Sequence, residues 1–413
     1  MEVVFMDSLF EPFPDSALVG ALCALTGIKD AVVIVHGKSC CHSDSLLFDL
    51  LIGDHDDVRV LGSGIRSQDV LTGGYRKLSI AIRTAYREFH PKLIAVLVTS
   101  FTSMMADDVE GIIESVKDEI PSEICFFQCA GHIGDFGFGY RSVLEKMVSY
   151  MKEEDKKEDA VNILGIKHYD PCSFWDMKEM ERILSHHGIK VNSFITGSSF
   201  ERIKSASSAS LNLVLSDDAI SCAELMKERF GIPYIRLSYP FGIEGTEDFL
   251  KNTLGFFGKE LDQKFLKKEK DMIKERIQKI HKYLQGIYGL PVAVFGKMER
   301  AVSFSRFLSK ELGLNLRLLF IKDNKKNIET DAEEVIFSKD QKLLEDVLRE
   351  REKEVAVCFG STLEKRICNE LGIPLVRCFF PVLDEVSILD KPFAGFRGVI
   401  SIVEKTVNSI IGA

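Results

Sequence analysis

The chain has no Cys-x-x-Cys pair, no Walker A phosphate loop, no surplus of positive charge and no apolar run long enough to cross a bilayer. Each absence removes a class of function. The ten cysteines are scattered, so neither a zinc ribbon nor a bacterial ferredoxin cluster can be assembled from neighbouring thiols in chain order. The turn Phe295-Gly-Lys-Met-Glu-Arg300 lacks the glycine spacing of a dinucleotide loop. No nucleotide is therefore expected on this chain, and any ATP used must be hydrolysed by a partner. A net charge of −9 argues against a non-specific nucleic-acid binder, which needs cations to neutralise phosphates. No segment reaches the roughly 18 apolar residues of a membrane span, and Met1-Glu-Val-Val-Phe-Met-Asp7 lacks the positive flank of a signal peptide. The expectation is a cytoplasmic protein without membrane contact, whose thiols stay reduced.

What is present is alternation. Short apolar runs at 31–35, 93–98, 124–127, 161–165, 211–215, 291–295 and 355–359 are separated by longer segments of helical period, the pattern of βαβ units on parallel sheets. The spacing predicts an α/β protein of three such blocks, at 1–157, 158–260 and 290–413. The amphipathic, Lys- and Glu-rich stretch within 261–289 reads as a connecting helix with one face packed.

Candidate functional residues sit at strand ends. The most informative segment is Val33-Ile-Val-His-Gly-Lys-Ser-Cys-Cys-His42, an apolar strand running into a glycine turn with adjacent thiols at Cys40 and Cys41. Such a turn is where an α/β fold presents a metal, with His36 as a group able to tune it from outside the ligand shell. Cys129, after the strand at 124–127, is a further thiol at a strand end. His132 and Asp135 flank Gly134 and are the polar candidates for substrate contact or proton delivery, Asp135 also suiting a turn. Asp107 and Asp108 resemble a carboxylate pair but open a helix, where acidic groups complement the positive end. His186 and His187 close another helix, where a cation needs no ligand role.

Taken in order, His36-Gly-Lys-Ser-Cys-Cys41, Asp69-Val-Leu-Thr-Gly-Gly-Tyr-Arg-Lys-Leu78 and Leu97-Val-Thr-Ser-Phe-Thr-Ser-Met-Met-Ala-Asp-Asp-Val109 resemble nitrogenase component 1 and its relatives. Leu211-Asn-Leu-Val-Leu-Ser216, Pro374-Leu-Val-Arg-Cys-Phe-Phe-Pro381 and Pro392-Phe-Ala-Gly-Phe-Arg-Gly398 follow in the family's order. The resemblance implies that the three blocks are Rossmann-like domains, with parallel sheets flanked by helices, around a central cavity. It also implies a 4Fe-4S cluster shared at a subunit interface, a homologous partner subunit in a heterotetramer or a second copy in a homodimer, and an ATP-dependent iron–sulfur reductase as electron donor. Where the family's cluster-binding subunits carry three ligand cysteines, this chain has Ser16, Cys41 and, approximately, Phe101. Only Cys41 survives, with Cys40 and Cys129 as lesser candidates.

The resemblance also places Ser216 where catalytic nitrogenase holds its active-site cofactor through cysteine, and Glu385 near the cofactor's histidine. Serine and glutamate are poor ligands for a soft iron–sulfur cofactor, so dinitrogen reduction here is not expected. The one-cysteine pattern is similar to the smaller subunit of the family's cofactor-assembly scaffold. Relatives that reduce Ni-sirohydrochlorin or protochlorophyllide are the alternative. A non-catalytic structural partner of a cluster-bearing subunit is the alternative of another class.

Overall fold

A computed structural model describes residues 15–38, 59–323 and 327–412. It contains three parallel sheets flanked by helices. The first has the order β2-β1-β3-β4, from β1 (Ala31–His36), β2 (Val60–Gly62), β3 (Leu93–Val98) and β4 (Glu123–Phe127). The second has the order β6-β5-β7-β8, from β5 (Ala160–Leu164), β6 (Lys190–Phe194), β7 (Leu211–Val214) and β8 (Tyr234–Arg236). The third has the order β11-β10-β9-β12-β13, from β9 (Pro291–Gly296), β10 (Asn315–Ile321), β11 (Glu334–Phe337), β12 (Val357–Gly360) and β13 (Leu375–Arg377). In each, the first strand of the block lies inside the sheet and the chain crosses to its other side. The carboxyl ends of β1/β3, β5/β7 and β9/β12 are thus the places where such sheets hold ligands.

By contacts the described chain forms two compact units: residues up to Tyr169 together with Val191–Ile235, and Asp170–Lys190 together with the residues from Arg236 onward. In the first, β1 and β3 are buried along their whole length and paired in register from Ala31↔Leu93 to His36↔Val98. Continuous Val, Ile and Leu suit strands covered on both faces. On one face Leu78, Ile82 and Ala85 of helix Tyr75–Phe89 and Ile112 and Val116 of helix Val109–Lys117 join Val32, Ile34, Ile94 and Val96 in one core. The second sheet carries a row of asparagines across three strands, Asn162 and Asn212 buried and Asn192 half-buried. Asn162 donates to Asn212 Oδ1 (2.8 Å) and to the Ala206 carbonyl (2.9 Å), and accepts from Asn192 (3.2 Å). Such a polar row holds the register of strands that apolar contacts alone would let slip.

In the other unit, helix Ser173–His186 sends two carboxylates to the start of helix Gly395–Ile411. Asp176 Oδ1 accepts from the backbone of Phe393 (2.6 Å) and Ala394 (2.7 Å), and Glu179 accepts from Arg397 (3.3 Å). These are the unpaired donors of a helix start, stabilised by negative charge. Gly395 takes φ +73° against the Glu179 side chain, so a Cβ fits neither the backbone nor the space. The motif Pro392-Phe-Ala-Gly-Phe-Arg-Gly398 is thereby explained by helix capping. Asp176 Oδ2 also accepts from Tyr239 (2.5 Å), and both Asp176 and Asp170 lie 3.6 Å from the buried Arg300 guanidinium.

The stretch read as one helix within 261–289 is two: Gln263–Gln278 and, after a turn at 279–280, His281–Leu284. Its inner face does pack, through Phe265, Leu266, Glu269 and Ile273.

Candidate functional site

The carboxyl end of β1 carries the densest set of polar contacts. His36, its last residue, is fully buried. Its Nδ1 lies 2.8 Å from Ser63 Oγ and its Nε2 3.2 Å from Asp107 Oδ2. A carboxylate only accepts, so Nε2–H donates to Asp107 and Nδ1 accepts from the Ser63 hydroxyl, which itself accepts from Gly37 N–H (3.1 Å). Burial lowers the His36 pKa, with Asp107 opposing it, and the ring is neutral in this setting. Asp107 Oδ1 accepts from Gly74 N–H (3.0 Å). A Cβ on Gly74 would come within 2.7 Å of His36 Cε1 and would strike Asp107. The Gly-Gly of Thr72-Gly-Gly-Tyr75 is therefore where the backbone must approach the histidine closely. The His36 carbonyl accepts from Thr102 (2.5 Å) and Thr99 (3.3 Å). The strand end is held from four sides.

Asp107 and Asp108 separate in role. Asp108 caps helix Val109–Lys117 by accepting from Gly111 N–H (2.9 Å), whereas Asp107 turns away to His36. Nothing in their spacing distinguishes them, since the partner of Asp107 lies 71 residues upstream.

Next to this strand end, two hydroxyls face one glycine. A Cβ built on Gly131 would lie 3.5 Å from Ser100 Oγ and 3.6 Å from Ser16 Cβ. Ser16 starts helix Ala17–Thr26, and that start is tied to the next segment by Ala17 N–H donating to Gly134 O (2.8 Å) and Phe136 N–H donating to Asp15 (3.0 Å). The third position, which the resemblance puts approximately at Phe101, is next to Ser100, the residue that lies beside Gly131. Phe101 instead lies under Lys38, whose Nζ is 4.1 Å from the ring centre.

Cys40 and Cys41 lie outside the described residues. Cys129 is buried beyond β4, and burial pushes its thiol up to about 11, Ser142 opposing. His132 is exposed. Asp135 caps helix Phe136–Tyr150 by accepting from Phe138 N–H (2.8 Å). Ser216, at the carboxyl end of β7, accepts from Asp218 N–H (3.3 Å) beside the buried pair of Lys167 and Asp218 (2.6 Å). Glu385, in the other unit, is paired with Arg377 (3.4 Å) and Lys405. Cys172, read from sequence as core, is only half-buried and starts helix Ser173–His186 in the left-handed region, φ +62°.

Among the described residues no group of three or more His, Cys, Asp or Glu side chains is placed to hold a metal ion. Hard hydroxyls at Ser16 and Ser100 and the single buried thiol of Cys129 do not make an iron–sulfur site. The described part of the chain does not fit a complete cluster.

The sequence profile of the nitrogenase component 1 type oxidoreductases matches residues 16–411. The chain belongs to this family. It is 27% identical over 372 residues to the nitrogenase iron-molybdenum cofactor biosynthesis protein NifE of Clostridium pasteurianum, covering 86% of this chain and 79% of that one. It is 23% identical to the nitrogenase molybdenum-iron protein beta chain of Methanothermobacter marburgensis, covering 95% and 92%. It is also 23% identical to a subunit of the light-independent protochlorophyllide reductase of Zygnema circumcarinatum, covering 95% and 82%. A solved structure of nitrogenase Cp1 at pH 5 superposes with a TM-score of 0.79 at 22% identity, over 97% of this chain and 88% of that one, which shows the shared fold. Among the described residues no helix is long and apolar enough to cross a membrane.

Proposed function

We propose that this chain is the ligand-poor subunit of a nitrogenase-like complex, in which a homologous subunit supplies most ligands of a shared iron–sulfur cluster and this chain supplies one thiolate, Cys41. The observation that carries the reading is the pair Ser16 and Ser100. The two hydroxyls face the same glycine, at or beside positions where the family resemblance leads one to expect thiolates. The other residues of this end then have structural tasks. His36, buried and hydrogen-bonded to Ser63 and Asp107, fixes the strand end from which the Cys40–Cys41 segment departs. In this reading the electron donor is an ATP-dependent iron–sulfur reductase, and the complex serves cofactor maturation, a role supported by the likeness to NifE. Tetrapyrrole reduction is the second reading, favoured by the likeness to the protochlorophyllide reductase.

The test is anaerobic co-purification with a homologous subunit, followed by iron and acid-labile sulfide analysis of the wild type and of Cys41→Ala, Cys40→Ala and Cys129→Ala. Loss of iron in Cys41→Ala alone supports the reading. Iron unchanged in all three makes the chain a structural partner that holds no part of a cluster.

A further inference from the structure

The corner where Ser16 and Ser100 stand beside Gly131 is half-buried. The atoms nearest to a Cβ built on Gly131 are Ser100 Oγ at 3.5 Å, Ser16 Cβ at 3.6 Å and Ser16 Oγ at 3.8 Å. Both hydroxyls therefore lie within 4 Å of one point, which an added atom reaches without overlap.

Neighbouring segments, rather than the two hydroxyls, hold this corner in place. A Cβ on Gly20 would strike the Phe136 carbonyl and one on Gly139 the Ala17 carbonyl, so helices Ala17–Thr26 and Phe136–Tyr150 meet backbone to backbone. Ala17 N–H donates to Gly134 O (2.8 Å) and Phe136 N–H to Asp15 (3.0 Å). On the other side, helix Ser100–Met105 is capped by Thr99 and Thr102, each accepting from the other's backbone N–H (3.4 and 3.1 Å). Ser16 Oγ accepts one long contact, from Val19 N–H (3.5 Å), and Ser100 Oγ takes part in no hydrogen bond among the described residues. The scaffold fixes where the two side chains stand and asks little of them.

We infer that this corner has the backbone of an iron–sulfur site and excludes iron through its donor atoms alone, so that Ser16 and Ser100 decide what this chain holds. The inference deepens the one-thiolate reading and takes from it the kind of group, a cluster bound through thiolates. A serine hydroxyl is hard and stays protonated, whereas iron in a cluster is bound by soft thiolate. The place itself suits thiolate. Ser16 caps a helix of ten residues, whose positive end lowers the pKa of a thiol. Lys38, with Nζ 4.1 Å from the ring centre of Phe101, sets a cation beside the residue next to Ser100. Cys129 has the opposite setting, since it is buried and burial raises its pKa.

The experiment is anaerobic reconstitution of the full chain with ferrous iron, sulfide and a thiol reductant, followed by desalting and by iron and acid-labile sulfide analysis. Four proteins are compared: the wild type, Ser16→Cys/Ser100→Cys, Ser16→Ala/Ser100→Ala, and Ser149→Cys/Ser185→Cys, which adds two thiols at exposed helix positions. The expected result is iron with sulfide retained by the corner Cys pair alone, about two to four atoms per chain above wild type, with similar thermal melts for all four. A corner pair that gains no more iron than the exposed pair overturns the inference, as does a wild type that holds as much iron as the corner pair. Should the pair melt early, Ser100→Cys alone, at the side chain with no bond to lose, decides: a gain over Ser149→Cys supports the inference and equal iron overturns it. Iron unchanged by Cys41→Ala in the complex would sink the one-thiolate reading without touching these outcomes, and a corner pair without iron would leave that reading standing.

Discussion

Replacing Asp176 by Ala removes the charge on which two separate structures depend. The carboxylate is fully buried, accepts from the first donors of helix Gly395–Ile411 at 2.6 and 2.7 Å and from Tyr239 at 2.5 Å, and lies 3.6 Å from Arg300. In the variant the Arg300 guanidinium keeps Asp170 as its one carboxylate, with the rings of Tyr239 and Phe241 at 4.4 and 5.2 Å, and the helix start and the Tyr239 hydroxyl lose their acceptor. Breaking a buried charge pair by removing one partner costs about 3–5 kcal/mol. Loss of a helix cap alone costs about 1 kcal/mol, so the unpaired charge dominates and the two are not simply additive. Urea unfolding followed by the fluorescence of the single tryptophan, Trp175, reads this place directly, since it precedes Asp176 in the same helix. The double variant Asp176→Ala/Arg300→Met is expected to be more stable than Asp176→Ala, because it also removes a buried cation left with a single carboxylate. An Asp176→Ala cost below about 1 kcal/mol, or a double variant less stable than the single one, refutes the reasoning.

Three further outcomes follow from contacts already described. Asn162→Ala leaves Asn192 and Asn212 without their shared partner in the second sheet, and the expected cost is about 1–3 kcal/mol in urea midpoints. Gly74→Ala strikes Asp107 and His36 and is expected to lower stability by about 1–3 kcal/mol; Gly255→Ala, in a helix with nothing within 4 Å of the added carbon, serves as the control and is expected not to destabilise. Asp384 is held at about 2 despite burial, because Arg377, Thr362 and Lys365 donate to it. Its folded-state pKa is depressed, so its contribution is present above the unfolded value and lost as pH falls toward the folded one. The stability gap between wild type and Asp384→Asn, about 2 kcal/mol near neutrality, is expected to shrink between about pH 5 and 3 in denaturant titrations.

The strands legible in the sequence are those buried on both faces. β1 and β3 are continuous apolar runs, and an α/β architecture follows from their alternation with helical segments. Missed were β2, β6, β8, β11 and β13, short or carrying polar residues such as Lys190, Asn192 and Glu334, and β10, in which Arg317 interrupts the run. For these, pairing within the sheet outweighs the local pattern. At the candidate site, spacing singled out His36, which the structure places among polar partners, and the cysteine turn, which lies outside the described residues. It did not show Ser63 or Asp107 as the partners of His36, because contacts across 27 and 71 residues leave no local trace. The resemblance gave the third position only approximately, at Phe101, and the nearness of Ser16 and Ser100 to Gly131 emerges only in the fold. The family motifs fared differently. Gly-Gly at 73–74 and Phe-Ala-Gly at 393–395 were read as marks of kinship, and each has a steric or capping cause in this chain.

The central claim is that the chain supplies one ligand of a cluster and no more. Native mass spectrometry under anaerobic conditions, on the chain alone and with its homologous partner, tests it most directly. The account predicts an isolated chain free of iron and a complex holding about four iron atoms per pair, reduced when Cys41 is replaced by Ala. A full cluster on the isolated chain would contradict it, since every ligand would then come from this one polypeptide.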